Sequence, residues 1–146
     1  MELWISGPTT LACVVASWID LRKRVIPNWI PLGVFLWVAG LCALSWTPWA
    51  SHAIGLGVGV ALGLLAYATG GIGGGDVKLL FATAAAFGWE RFGWFLFGVA
   101  VGGGILSFIA LKRGAKDLAY GPAFALSSGA LLVQDLVHVF SDRTTV

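Results

Sequence analysis

Apolar and polar positions along this chain come in blocks. Six apolar stretches are separated by short polar breaks: about Leu3 to Ile19, Trp29 to Trp46, His52 to Thr69, Val77 to Trp89, Phe92 to Leu111 and Tyr120 to Phe140. A helix needs about 20 mostly apolar residues, at roughly 1.5 Å rise each, to cross a hydrocarbon core of about 30 Å. The fourth stretch is short for a span and reads as a short helix that thins the membrane locally. The pattern predicts an all-α, polytopic membrane protein with six transmembrane helices. We expect a single membrane-embedded domain over residues 1–146, with no soluble N-terminal domain.

Composition agrees. Of 146 residues, 58% are hydrophobic and only 11% are charged, against about a quarter charged in soluble domains. The net charge of +2 is too small to argue for nucleic acid, and none is expected as a partner; membrane lipid is. Glu2 is acidic and no basic segment precedes the first stretch, so that stretch reads as a retained helix and not a cleaved signal. Cys13 and Cys42 lie inside apolar stretches and read as small buried hydrophobes. No Cys-x-x-Cys pair is present, so a thiolate metal site is not supported; no metal and no cofactor are expected.

The placement of charge fixes the orientation. With six spans and the N-terminus outside, the inner side holds Arg22, Lys23, Arg24, Lys78, Lys112, Arg113 and Lys116, and the outer side holds Arg91 and Arg143. Positive charge concentrates on the cytoplasmic side of membrane proteins. If the fourth stretch were re-entrant, Lys112, Arg113 and Lys116 would move outside and the bias would largely vanish. Six spans put Asp20 and Asp76 on the same, cytoplasmic side.

These aspartates are the candidate chemistry. Ionisable groups at membrane depth are costly and mark function by default. Asp20 ends the first stretch, above a tight loop shaped by Ile26-Pro27-Asn28. The bland alternative is an edge aspartate paired with Arg22, Lys23 or Arg24. Asp76 closes the run Gly70-Gly71-Ile72-Gly73-Gly74-Gly75, in which five of six residues are glycine. Such a run breaks a helix, and irregular backbone near a membrane is tolerated where it lines a cavity or water. The bland alternative there is a solvated inner loop. A phosphate loop fails because no Gly-Lys-Ser/Thr follows the glycines. Lys78 reads as an inner-face anchor able to reach substrate or Asp20. Gly55, Gly59 and Gly63, and Gly98 and Gly102, recur at helix-packing spacing and read as scaffold. Asp135 and His138 read as a polar outer helix end, on the wrong side for Asp20 and Asp76. His52 carries no signal.

Taken together, three segments resemble the type IV prepilin peptidases, membrane aspartyl proteases with a Gly-x-Gly-Asp motif. Gly73-Gly74-Gly75-Asp76 fits that motif, with Val77-Lys78-Leu79 after it. Asp20 with Ile26-Pro27-Asn28 fits the family's first catalytic aspartate and its downstream loop. Tyr120-Gly121-Pro122 resembles the opening of its last helix. The compact form is similar to the peptidases of Flp/Tad-type pili. The resemblance implies an aspartic endopeptidase of the inner membrane. It would remove short basic leaders from pilin-like precursors at the cytoplasmic face, beside pilus or secretion assembly machinery. It implies Asp20 and Asp76 as catalytic, with Gly73, Gly75, Lys78, Pro27 and Asn28 supporting. Longer members carry an N-terminal cysteine-bearing domain and also N-methylate the product; without these features methyl transfer is not expected here. The alternatives are a small transporter or a non-catalytic assembly component.

Overall fold

The computed structural model describes residues 3–23, 25–44, 46–112 and 121–144. Among the described residues the fold is all-α, with five helices: α1 (Leu3–Lys23), α2 (Trp29–Ala43), α3 (Trp49–Ala68), α4 (Gly74–Lys112) and α5 (Gly121–Thr144). The fourth and fifth expected stretches are two arms of α4, meeting at Gly88 with φ 63 and ψ 176. That backbone conformation is open to glycine and strained for any residue with a Cβ. The chain doubles back there. In a straight helix Phe87 and Phe95 would stand about 12 Å apart along the axis, yet their ring centroids lie 5.1 Å apart. A Cβ built on Gly59 would reach both Ala84 and Phe92, one from each arm. The first arm, residues 74–87, is about 21 Å long at helical rise, so the short fourth element is there. The expected connection through Trp89–Arg91 is instead helical, and one glycine makes the turn.

A turn this tight strips carbonyls at the end of the first arm of their helical partners. One of them finds a donor on α3, and α3 packs closely against the turn. The Nδ1–H of His52 donates to the Ala85 carbonyl at 2.7 Å, and this bond fixes the ring tautomer. Gly55 brings α3 so close that a Cβ there would stand 2.5 Å from the Ala84 oxygen.

Small residues set the helix contacts, and hydroxyls tie them. Gly55, Gly59 and Gly63 are the buried residues of α3 and lie along the first arm. Gly98 and Gly102 of the second arm lie against Ser127 and Ala123 of α5. The Ser127 hydroxyl donates to the Phe95 carbonyl at 2.6 Å, and that of Thr10 to the Ser128 carbonyl at 3.0 Å, joining α1 to α5. The core gathers Cys13, Ala16, Leu79, Phe92, Phe95 and Phe124. Outside, the pattern inverts. Leu11, Trp49, Trp94 and Leu126 are at least 66% exposed, while Ser6, Thr9, Thr83 and Ser128 are fully buried. Packing by small residues and hydroxyls beneath an apolar exterior is how helices associate in lipid. Trp49–Ala68 and Pro122–Ser141 are long and apolar enough to cross a membrane, and Trp29–Ala43 is a shorter apolar helix.

At the end opposite the aspartates, Arg91 pairs with the buried Asp135. Arg91→Met strands that carboxylate, and removing one partner of a buried pair is strongly destabilising. The Arg91 side chain keeps 21% exposure, so the expected cost is about 2–3 kcal/mol, at or just below the low end of that range. Denaturation in detergent checks it, and the double variant Arg91→Met/Asp135→Leu is expected to recover most of the loss.

Candidate functional site

Asp20 lies in the last turn of α1, which runs on past Ile19 to Lys23. Asp76 lies in the first turn of α4, just ahead of the apolar run from Val77. Helix α4 starts two residues into the expected loop, because the motif caps itself. The Gly73 carbonyl accepts the Val77 N–H at 3.1 Å, which makes Gly73 the residue that opens the helix. The Asp76 carboxylate reaches back to accept the Gly73 N–H. An acidic side chain at the third helical position bonding the cap N–H is one half of a capping box. Asp76 Oδ2 lies 3.4 Å from where a Gly73 Cβ would stand. Its Oδ1 is buried with no hydrogen-bond partner among the described residues.

Asp76 is thus a buried helix-capping residue and not the side chain of a solvated loop. Glycine at 73 and one carboxylate oxygen start the helix, which leaves the other oxygen for something else.

Both aspartates are buried, at 8% and 9% exposure, and the charge of Asp20 reaches Asp76. Burial first, and the Asp20 charge second, push the Asp76 carboxyl from 3.8 up to about 6, with the Gly73 N–H opposing. A desolvated carboxyl facing a second carboxylate holds its proton more tightly than one in water.

The two carboxylate-bearing segments are fastened together at two points. Gly75 lies against Ile26: a Cβ there would stand 3.2 Å from the Ile26 Cβ and 3.4 Å from its nitrogen. Ile26 itself is buried in the core. Beside it, the Lys78 ammonium donates to Asn28 Oδ1 at 2.8 Å, across 50 residues of sequence. Pro27 sits between these points, and its carbonyl accepts the Ile30 N–H at 3.2 Å. Asp20, Pro27, Asn28, Gly73, Gly75, Asp76 and Lys78 therefore belong to one end of the fold. Lys78 contacts Asn28 and serves as a clasp. Gly121 and Pro122 are placed by another element, α5, whose buried Ala123 lies on Gly102. Tyr120 lies outside the described residues.

The clasp yields a test. Lys78→Met keeps the length of the side chain and removes the donor. An exposed hydrogen bond of this kind contributes about 1 kcal/mol to stability, so the variant should stay folded. If the clasp sets carboxylate spacing, turnover should fall about tenfold or more, and Lys78→Arg should retain part of it. Unchanged turnover in Lys78→Met would make the bond structural only.

Sequence reasoning treated Lys78 and Asn28 as separate supports and missed their bond. It also missed the Arg91–Asp135 pair, although the six-span count had already put both residues on one side. Among the described residues no group of three His, Cys, Asp or Glu side chains is arranged to hold a metal.

A model of the type IV leader peptidase family matches residues 9–108, a range that includes both aspartates. Two curated relatives are similar to the chain, each a prepilin leader peptidase/N-methyltransferase of Burkholderia pseudomallei, from strains 1026b and K96243. Each is 34% identical over 136 residues, covering 83% of this chain and 43% of the relative. The chain thus spans less than half the length of the curated relatives it matches. No solved structure matches it.

Proposed function

The chain belongs to the type IV leader peptidase family, and from that premise we propose that it is a membrane aspartic endopeptidase that removes the short basic leader from type IV pilin-like precursors. Asp20 and Asp76 are its catalytic pair. The observation that carries this reading is the convergence of two buried carboxylates, 56 positions apart in sequence, at one end of the fold, with the charge of one raising the proton affinity of the other.

The proposed chemistry needs one proton shared by the pair. Close carboxylates do not both ionise easily and titrate as a unit. The ionised carboxylate takes a proton from a water molecule, whose oxygen attacks the scissile carbonyl carbon. The protonated carboxyl donates to the carbonyl oxygen. As the carbon–nitrogen bond breaks, one carboxyl gives its proton to the leaving amine and the other carboxylate takes one back from a hydroxyl of the tetrahedral intermediate, so the pair again holds one proton as the carboxyl and amino products separate. Burial and the Asp20 charge favour Asp76 as the member that holds the proton.

In this reading the helices and both arms of α4 form six spans, with the N-terminus outside and the aspartate end facing the cytoplasm, in the inner membrane of a prokaryote. Arg22, Lys23, Lys78 and Lys112 then lie on that side, in accord with the positive-inside bias. The same charges repel a basic leader, so recognition falls to the apolar segment beyond the cleavage site.

The test is co-expression in membranes with a precursor carrying a short basic leader, a junctional glycine and an apolar segment. Loss of the leader mass after the glycine supports the proposal. A precursor left whole by the folded protein contradicts it.

A further inference from the structure

The helices α1 and α2 leave a groove of about 360 Å³ between them. On α2 it is lined by Trp29, Gly33 and Trp37, four residues apart and so on one helix face. Gly33 is its floor, since a Cβ there would meet nothing within 4 Å. The tryptophans stand about 12 Å apart along the axis and mark the two ends of the groove on α2.

One wall is pinned. Pro8, inside α1, has no N–H, so the Trp4 carbonyl lacks its helical partner. The indole N–H of Trp37 donates to that carbonyl instead, at 2.8 Å. Trp37 is held in place although it is 40% exposed.

The other end of the groove abuts the candidate catalytic end. Trp29 follows Asn28, which Lys78 holds, and Val15 of the groove precedes Asp20 by about 7.5 Å of helix. The same two helices that present Asp20 and its following loop form the groove, which leads away from the carboxylates.

We propose that this groove seats the apolar helix of the precursor immediately after the scissile bond, an assignment that rests on the proposed function. A glycine floor between Trp29 and the pinned Trp37 admits the close backbone approach by which helices pair in lipid. The direction fits, because the precursor helix starts at the bond to be cut and runs outward. From Trp29 to Trp37 the groove is about 12–13 Å long, so it grips the first two or three turns of that helix.

The experiment uses the full chain in membranes and the same precursor. Gly33→Trp fills the groove from a position with free space around it. Gly57→Trp is the control, since Gly57 of α3 also has nothing within 4 Å. The expected result is a KM raised tenfold or more by Gly33→Trp with kcat within about threefold, and neither changed by Gly57→Trp. A photoreactive benzoylphenylalanine at position 33, in an Asp76→Asn background, should crosslink to the first turns of the precursor helix. Wild-type KM in Gly33→Trp, or crosslinks at 33 to lipid alone, overturns the groove assignment and leaves the proposed function standing. A precursor left whole by wild type overturns the proposed function and the groove with it.

Discussion

Asp20→Asn and Asp76→Asn are each expected to lower leader removal by at least about a hundredfold while leaving the chain folded. Positioned proton transfer contributes about 10²–10⁴-fold, and an amide keeps the shape of a carboxyl but cannot exchange protons. The two variants differ in stability. Asp76 is held at about 6 in the folded chain against an ordinary 3.8, chiefly by burial. A carboxyl whose folded value is raised favours folding while it stays protonated, and that contribution is lost as pH rises through about 6. Asp76→Asn removes the cost of charging this group. The inactive variant should therefore melt above wild type at pH 7–8, and the gap should close below about pH 4. Melting followed by intrinsic tryptophan fluorescence in detergent at several pH values checks this. A variant that melts lower at pH 8 would mean that the Asp76–Gly73 cap outweighs the charging cost.

The second large effect is structural and distant from the aspartates. Gly55→Ala is expected to destabilise the fold by about 3 kcal/mol or more, the upper range for overpacking. The added Cβ would stand 2.5 Å from the Ala84 oxygen and 2.8 Å from the Gly88 backbone carbon. Both obstacles are backbone at the α4 turn, so no side chain can swing aside. Against a total of about 5–15 kcal/mol that is a large share. Gly57→Ala, two residues along on an open face of α3, should be neutral or slightly stabilising through helix propensity. Urea or detergent denaturation of the pair separates a packing effect from a general effect of glycine replacement.

Much of the site was legible because membrane chains penalise charge. A carboxylate at the end of an apolar stretch stands out, and counting spans by charge puts Asp20 and Asp76 on one side before any contact is known. By its sequence the glycine run is a loop as far as Gly75, whereas the helix begins at Gly74. The difference is the Asp76 carboxylate on the Gly73 N–H, which caps a helix that glycine propensity alone would not start. The turn at Gly88 falls a few residues before the polar break in the sequence. Glu90 and Arg91 look like a solvated loop, but one glycine reverses the chain and its neighbours stay helical. Only the backbone angle distinguishes Gly88 from the packing glycines. The contacts Lys78–Asn28 and Trp37–Trp4 join residues 50 and 33 positions apart. No local pattern encodes them, although Pro8 in a helix does announce a carbonyl in need of a donor.

The central claim is that two carboxylates act as one catalytic unit. It is tested most directly by measuring the mass of the cleaved precursor over time for wild type, Asp20→Asn, Asp76→Asn and the double variant. The account predicts that each single change costs about as much as both together, as for groups that work jointly. Residual cleavage in either single variant that the double variant lowers by a further independent factor would contradict it.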